Sequence, residues 1–318
     1  TRLAQWVVQR PTKLAVPGSN PGQGKCLCDE HECLFLGLGC FLSKHIVAAA
    51  IDLGYRAFDT AYIYGTEREV GEGIRMKIQD GTISTRRALI INKLWSTYHG
   101  PDLVQRICNF DLFMMHNPMS QCGDPIPKIA NVIQFSSCDY LDAWFAMEDL
   151  VAKGLVRSIG VSNFNSVQLA RVLEKGRIKP VVNQVECHPY LTQKQLSEFC
   201  DARDVRLSCF GVLGSKGTPA EFKNNTLAAI DDAAVQMMAA GLNITPAQLL
   251  IRYQIDSGRN VVAKASSAAH LWDNLQALGV YLRPAELRGL DALNRNRRTF
   301  VFKGMGDTHK NYPFTIAF

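Results

Sequence analysis

The chain has 318 residues, 47% of them hydrophobic and 20% charged, which excludes a disordered or fibrous protein. Its formal charge of +6 is scattered, so no nucleic-acid partner is expected, and it suits an anionic substrate or cofactor only weakly. No apolar run approaches the roughly 20 residues that span a bilayer, and residues 1–10 lack a signal-like apolar stretch with a cleavage site, so a cytoplasmic protein with no membrane contact is expected.

Residues 1–33 form the first segment. Pro11, Pro17, Gly18, Pro21, Gly22 and Gly24 crowd a stretch without periodicity, so an irregular N-terminal extension is expected. Cys26, Cys28, His31 and Cys33 match no standard zinc spacing, and no second ligand pair follows, so no metal is expected. The ten cysteines are spread irregularly, which suggests reduced thiols rather than a disulfide framework.

From Leu34 to the C-terminus short apolar runs alternate with helical segments. The runs predict strands over 34–39, 57–60, 89–93, 112–116, 158–162, 181–186, 206–210 and 261–263. They are rich in Ile, Val and Leu and often continuously apolar, as strands buried on both faces are. Helical spacing predicts amphipathic helices over 141–152, 167–174 and 246–255, the last with Thr245 as N-cap and Pro246 in its first turn. The sequons at Asn224 and Asn243 are attributed to chance.

Eight strand–helix repeats predict an α/β protein, a single-domain (β/α)8 TIM barrel over 34–318, rather than a doubly wound sheet. After the first strand Gly37-Leu38-Gly39 is followed by Cys40-Phe41, and the glycine fingerprint of a dinucleotide-binding sheet is absent.

Catalytic side chains of such barrels gather at the C-terminal strand ends. There the chain places Asp59, Lys93, His116, Ser162, Asn163, Gln184, Glu186, Phe210 and Lys264, with Tyr64 on the loop beyond Asp59. Each has an ordinary explanation alone: a helix cap, a solvated charge, a core histidine. Together, four of them make an acid catalyst. A phenol with pKa about 10 is a poor acid near neutrality. A neighbouring lysine ammonium lowers that value by stabilising the phenolate. An aspartate holds the lysine charged and placed, and a histidine can orient a carbonyl oxygen.

These stretches resemble the aldo-keto reductases. The likeness is carried by Phe58-Asp59-Thr60-Ala61-Tyr62-Ile63-Tyr64, Lys93-Leu94-Trp95-Ser96-Thr97-Tyr98-His99, Met115-His116-Asn117-Pro118, Gly160-Val161-Ser162-Asn163-Phe164, Asn183-Gln184-Val185-Glu186-Cys187-His188-Pro189-Tyr190 and His309-Lys310-Asn311-Tyr312-Pro313-Phe314. The resemblance implies NADPH-dependent reduction of an aldehyde, ketone or sugar-like dicarbonyl by a catalytic tetrad of Asp59, Tyr64, Lys93 and His116, with Tyr64 donating the proton. It implies that Ser162, Asn163 and Gln184 bind the nicotinamide carboxamide and that Phe210 stacks on its ring. Asp59 also counts among the cofactor contacts. Gly211, Leu213 and Ser215 fall on the belt around the pyrophosphate, and Lys264, His270 and Asn274 at the 2′-phosphate and adenine. Phe41, Tyr64, Trp95, His116 and Asn117 would line the substrate pocket. The family implies a monomer with a small-molecule carbonyl substrate. Met147-Glu148-Asp149-Leu150-Val151, Leu191-Thr192-Gln193-Lys194 and Arg203-Asp204-Val205 resemble most the branch members that reduce 1,5-anhydro-D-fructose.

The chain also departs from the family's pattern. The segment between Lys93 and His116 is shortened, with a helix expected over 101–108 and only Asn109-Phe110 to turn the chain. A helix of that length spans about 12 Å, so thin cover of one barrel face and lowered stability are expected. Phe41 and Asn117 stand where the family has tryptophan, which implies a wider, more polar pocket. Phe210 stands for tyrosine, a mild exchange for ring stacking. Gly211-Val212 replaces a polar-Pro pair. His270 replaces an arginine, at a cost of about 1.5–3 kcal/mol in phosphate contact. NADPH is still favoured, with weak discrimination against NADH. The competing expectation is a catalytically silent paralogue that binds nucleotide or a protein partner.

Overall fold

The computed structural model describes residues 36–39, 42–84, 87–104, 110–122, 134–215, 227–304, 306–316 and 318. The N-terminal extension, Phe41 and the Asn224 sequon therefore lie outside the described residues.

Eight parallel strands close a barrel. They are β1 (Leu36–Gly39), β2 (Ala57–Asp59), β3 (Leu89–Leu94), β4 (Phe110–Met115), β7 (Val156–Ser162), β8 (Val182–Glu186), β9 (Arg206–Phe210) and β10 (Asn260–Ala263), and they follow one another around the ring in chain order. Between β4 and β7 a small antiparallel pair, β5 (Gln121–Cys122) and β6 (Gln134–Phe135), stands outside the barrel. Two-residue strands carry no periodicity, and this hairpin had no sequence signal. Every expected barrel strand is present. The fourth starts earlier than expected, because Phe110 pairs with Val156 instead of turning the chain.

The helices are α1 (Lys44–Leu53), α2 (Glu67–Gln79), α3 (Pro101–Val104), α4 (Tyr140–Ala152), α5 (Ser166–Lys175), α6 (Lys194–Asp201), α7 (Ala233–Gly241), α8 (Pro246–Asp256), α9 (Ala268–Gln276) and α10 (Pro284–Asp291). Their ends follow local chemistry. Asn165 caps α5 by accepting from the Gln168 N–H at 2.9 Å, and Gln168 reaches back to the Asn165 N–H. Thr245 caps α8 in the same way, with Pro246 in its first turn, so the Asn243 sequon runs into a helix cap. α3 spans four residues, and 105–109 lie outside the described residues.

Side chains alternate inward and outward along each strand. Outward residues such as Leu38, Phe58 and Val261 on one side, and Phe113, Ile159 and Val161 on the other, pack under the helices in two large apolar clusters. Inward residues Ile91, Leu112, Met114 and Val182 fill the barrel floor as a separate cluster. Lys93, His116 and Gln184 share their parity, so they point into the barrel at its C-terminal mouth. Gly160 allows β7 and β8 to approach, since a Cβ there would lie 2.6 Å from Val182 Cγ1.

Glu148, in the middle of α4, is 2% exposed. Its carboxylate accepts from Trp144 Nε1 at 3.1 Å, the N–H groups of Arg177 and Ile178 at 2.6 and 2.8 Å, and Arg177 Nε at 2.7 Å. It thus pins α4 to the turn before β8. Glu148→Ala leaves those donors unpaired and is expected to lower unfolding stability by on the order of 3 kcal/mol, read as a fall in the urea midpoint; an unchanged midpoint would contradict this role.

Candidate active site

At the barrel mouth Lys93 ends the inward row of β3 and Asp59 that of β2, and both are 1% exposed. Lys93 Nζ forms an ion pair with Asp59 Oδ1 and donates to the Thr60 carbonyl at 3.2 Å. Asp59 Oδ2 accepts from Gln184 Nε2 at 2.9 Å, so both carboxylate oxygens are engaged. The Tyr64 ring lies 5.3 Å from Lys93 Nζ, centroid to nitrogen. A single turn of 3-10 helix, Tyr62–Tyr64, carries it there. Gly65 closes that turn with φ of 64°, its N–H donating to the Tyr62 carbonyl at 3.1 Å. The His116 ring stands edge-on to Tyr64 with 5.7 Å between centroids, and Trp95 lies edge-on to His116 at 5.2 Å. The four residues expected to form the tetrad are therefore brought together.

Ser162 ends β7 beside them, and Asn163 follows it. Ser162 Oγ donates to the Gln184 carbonyl at 2.8 Å. Asn163, with φ of 59°, donates from Nδ2 to the His116 carbonyl at 2.9 Å and to Ser162 Oγ at 3.2 Å. Its Oδ1 is buried without a hydrogen-bond partner among the described residues, so a carboxamide N–H₂ would satisfy it. Gln184 turns its amide nitrogen to Asp59. Phe210, half-buried, ends β9 and meets Phe300 edge-on at 6.3 Å. A nicotinamide would thus find a ring face and an unused acceptor at the same barrel mouth.

The other expected cofactor residues lie further out along the mouth. Gly211 has φ of 65°, and a Cβ there would lie 2.6 Å from Ser215 Oγ, so the loop through Leu213 packs only around glycine. Lys264 follows β10 and is exposed, as is His270 in the first turn of α9; Asn274 is buried one turn on. Ser267 caps α9, its Oγ accepting from the His270 N–H at 3.2 Å. A lysine, a histidine and a helix N-terminus together suit a phosphate.

On the substrate side, Phe41 lies outside the described residues. Trp95 is 3% exposed. Asn117, expected as a polar pocket wall, is 1% exposed, with its amide engaged by Ser96 Oγ at 2.8 Å and the Met119 N–H at 2.9 Å. Glu186 does not join the tetrad. Its carboxylate meets His188 at 3.0 Å and accepts from the N–H groups of Thr299 and Phe300, which ties the C-terminal segment to the mouth.

Sequence reasoning missed two buried imidazoles. His99 Nδ1 lies 2.9 Å from Ser120 Oγ. His309 Nδ1 accepts from the Asn311 N–H at 2.9 Å and meets the Phe135 ring edge-on at 4.7 Å. Burial, then the neighbouring His309, pushes His99 down to about 3. Burial, then Lys93, then His99, holds His116 well below the usual imidazole range. The neutral His116 ring can hydrogen-bond a carbonyl oxygen without adding charge to a pocket that already holds an ammonium.

The family model described as Aldo/keto reductase family matches residues 42–295. The chain belongs to the aldo/keto reductase family. It is 36% identical over 302 residues to aldo-keto reductase family 1 member C15 of Rattus norvegicus, covering 88% of this chain and 93% of that protein. It is 36% identical over 312 residues to estradiol 17 beta-dehydrogenase 5 of Mus musculus, covering 91% and 96% respectively. With 3-alpha-hydroxysteroid dehydrogenase of Rattus norvegicus it shares 38% over 282 residues, covering 84% and 87%. An oxidoreductase of this family follows; the names do not bear on a sugar-like substrate.

The buried imidazoles give a pH prediction. His99, His116 and His309 all have lowered proton affinity in the fold, burial being the first cause in each. In the unfolded chain they titrate near 6.5. Below about pH 6.5 the unfolded state binds protons that the native state refuses, so stability is full above that value and falls as pH drops toward about 3. Urea midpoints at about pH 7.5 and about pH 5 should differ, and His99→Gln should narrow the gap. An equally wide gap in the variant would rule His99 out as a contributor.

Proposed function

We propose that this protein reduces the carbonyl group of an aldehyde, ketone or sugar-like dicarbonyl to an alcohol, with NADPH as reductant and Tyr64 as proton donor. The observation that supports this best is the convergence of the Tyr64 ring, the buried Lys93–Asp59 pair and the His116 ring at one barrel mouth.

A bound reduced nicotinamide supplies the hydride. The chain's own residues do the rest. A carbonyl oxygen placed between Tyr64 and His116 meets two hydrogen-bond donors, which orient it and stabilise the negative charge that develops there. Tyr64 gives its hydroxyl proton to that oxygen. Lys93, anchored by Asp59, sets a positive charge beside the phenol ring and stabilises it as it loses the proton. Asn163 Oδ1 and the Phe210 ring would hold the nicotinamide end, and Lys264, His270 and the start of α9 would hold the phosphate end. That phosphate-binding set supports NADPH over NADH, with His270 weakening the margin. A catalytically silent paralogue gains no support from this geometry, since a protein that only bound nucleotide would not need the buried Lys93–Asp59 pair beside Tyr64.

Tyr64→Phe should remove at least about 10³ of the turnover if proton donation is rate-supporting, followed as loss of reduced-cofactor absorbance with a carbonyl substrate. Its thermal midpoint should still rise with added NADPH as much as that of the wild type. Turnover retained by the variant would remove Tyr64 from the role, and a midpoint indifferent to NADPH and NADH would remove the cofactor.

A further inference from the structure

Within the sheet, β3 and β4 pair at a fixed offset: Ile91 with Leu112, Asn92 with Phe113, Lys93 with Met114, Leu94 with Met115. The His116 N–H donates to the Leu94 carbonyl at 3.0 Å and closes the backbone ladder. Beyond it both chains leave the sheet, β3 into the turn Ser96–Tyr98 and β4 into the loop toward β5. The side chains nevertheless keep the same offset of 21 residues. Trp95 meets His116 ring to ring at 5.2 Å. Ser96 Oγ and the Asn117 amide exchange hydrogen bonds at 2.8 and 3.1 Å. His99 Nδ1 and Ser120 Oγ lie 2.9 Å apart. Asn117 Oδ1 also accepts from the Met119 N–H at 2.9 Å, a bond within the second loop that fixes the Asn117 side chain.

Ser96, His99, Asn117 and Ser120 are each no more than 1% exposed. Buried polar side chains are costly unless they are bonded, and these four are bonded across the gap between the two loops. They therefore replace the backbone pairing that ends at His116. His116 sits between the last backbone rung and the Ser96–Asn117 rung, with Asn163 Nδ2 holding its carbonyl from the β7 side. The arrangement falls on the barrel face that carries α3, between β3 and β4.

We propose that Ser96 with Asn117, and His99 with Ser120, are positioning residues: side-chain rungs that continue the β3–β4 register over the mouth and fix His116 and Trp95 against Tyr64. The proposal rests on the reductase reading for its kinetic consequence, and it assigns Asn117 to the ladder rather than to a pocket wall. Near-attack geometry is sensitive to small displacements, so loosening a rung should slow the chemical step without touching cofactor contacts.

The test is a double-mutant cycle on the full chain with Ser96→Ala, Asn117→Ala and the pair. Each single variant should lower kcat by about tenfold, raise the primary isotope effect from 4-deuterated reduced cofactor, and leave the dissociation constant of NADPH unchanged. The double variant should lose little more than the worse single. Losses that multiply, an unchanged kcat, or a weakened NADPH affinity in parallel with kcat would overturn the proposal. Hydrogen exchange reads the ladder without turnover. In Asn117→Ala, and in Ser120→Ala as the milder outer variant, peptides over 95–99 and 116–122 should lose protection together. Loss confined to the substituted loop would overturn the ladder, whether or not the wild type reduces carbonyls. Joint loss in a chain without carbonyl turnover would leave the ladder standing and refute the reductase reading alone.

Discussion

Lys93 and Asp59 hold opposite charges where water does not reach, each 1% exposed. Burying one such charge alone would cost several kcal/mol, and even a good pair gains little net stability over apolar side chains of similar size. The pair is therefore weakly motivated as a stabiliser, which accords with the chemical role proposed for it above. It fixes an ammonium beside the phenol of Tyr64 and turns the remaining Asp59 oxygen toward Gln184. Much of the mouth is arranged around this point: the glycine-closed turn under Tyr64, the neutral His116, and the β7 end that braces the His116 carbonyl.

The barrel supplies the geometry through parity and register. Inward positions alternate, so Ile91 packs the floor and Lys93 reaches the mouth; Leu112 and Met114 do the same below His116. Parallel pairing at a constant offset then sets Asp59, Lys93 and His116 on consecutive strands of one ring. Loops extend this order outward. The C-terminal segment is tied back by Glu186 and by Asn165, whose Nδ2 donates to the Pro313 carbonyl at 2.9 Å.

Much of this was legible in the sequence. Barrel strands announce themselves as short apolar runs because both faces are buried, and their ends were found within two residues wherever both lie among the described residues. The convergence of Asp59, Tyr64, Lys93 and His116 was legible because strand ends in this architecture face one mouth, so residues far apart in sequence could be assembled by strand number. What stayed hidden depends on side-chain direction. That the Gln184 amide nitrogen also braces Asp59 had no sign in the sequence. Asn117 was expected to face a pocket and turns to Ser96. His99 and His309 sit in loops without periodicity, where a histidine carries no local sign of its neighbours. The β5–β6 hairpin is too short to show a pattern.

If the Lys93–Asp59 pair exists for chemistry, removing both charges together should separate folding from function. The most direct measurement is carbonyl turnover by a folded Asp59→Leu/Lys93→Met double variant, with its thermal midpoint beside those of the two single variants. Each single variant leaves one buried charge unpaired, so the double variant should melt above both while all three lose turnover. A double variant that turns over like the wild type, or that melts below the single variants, would contradict this account of the site.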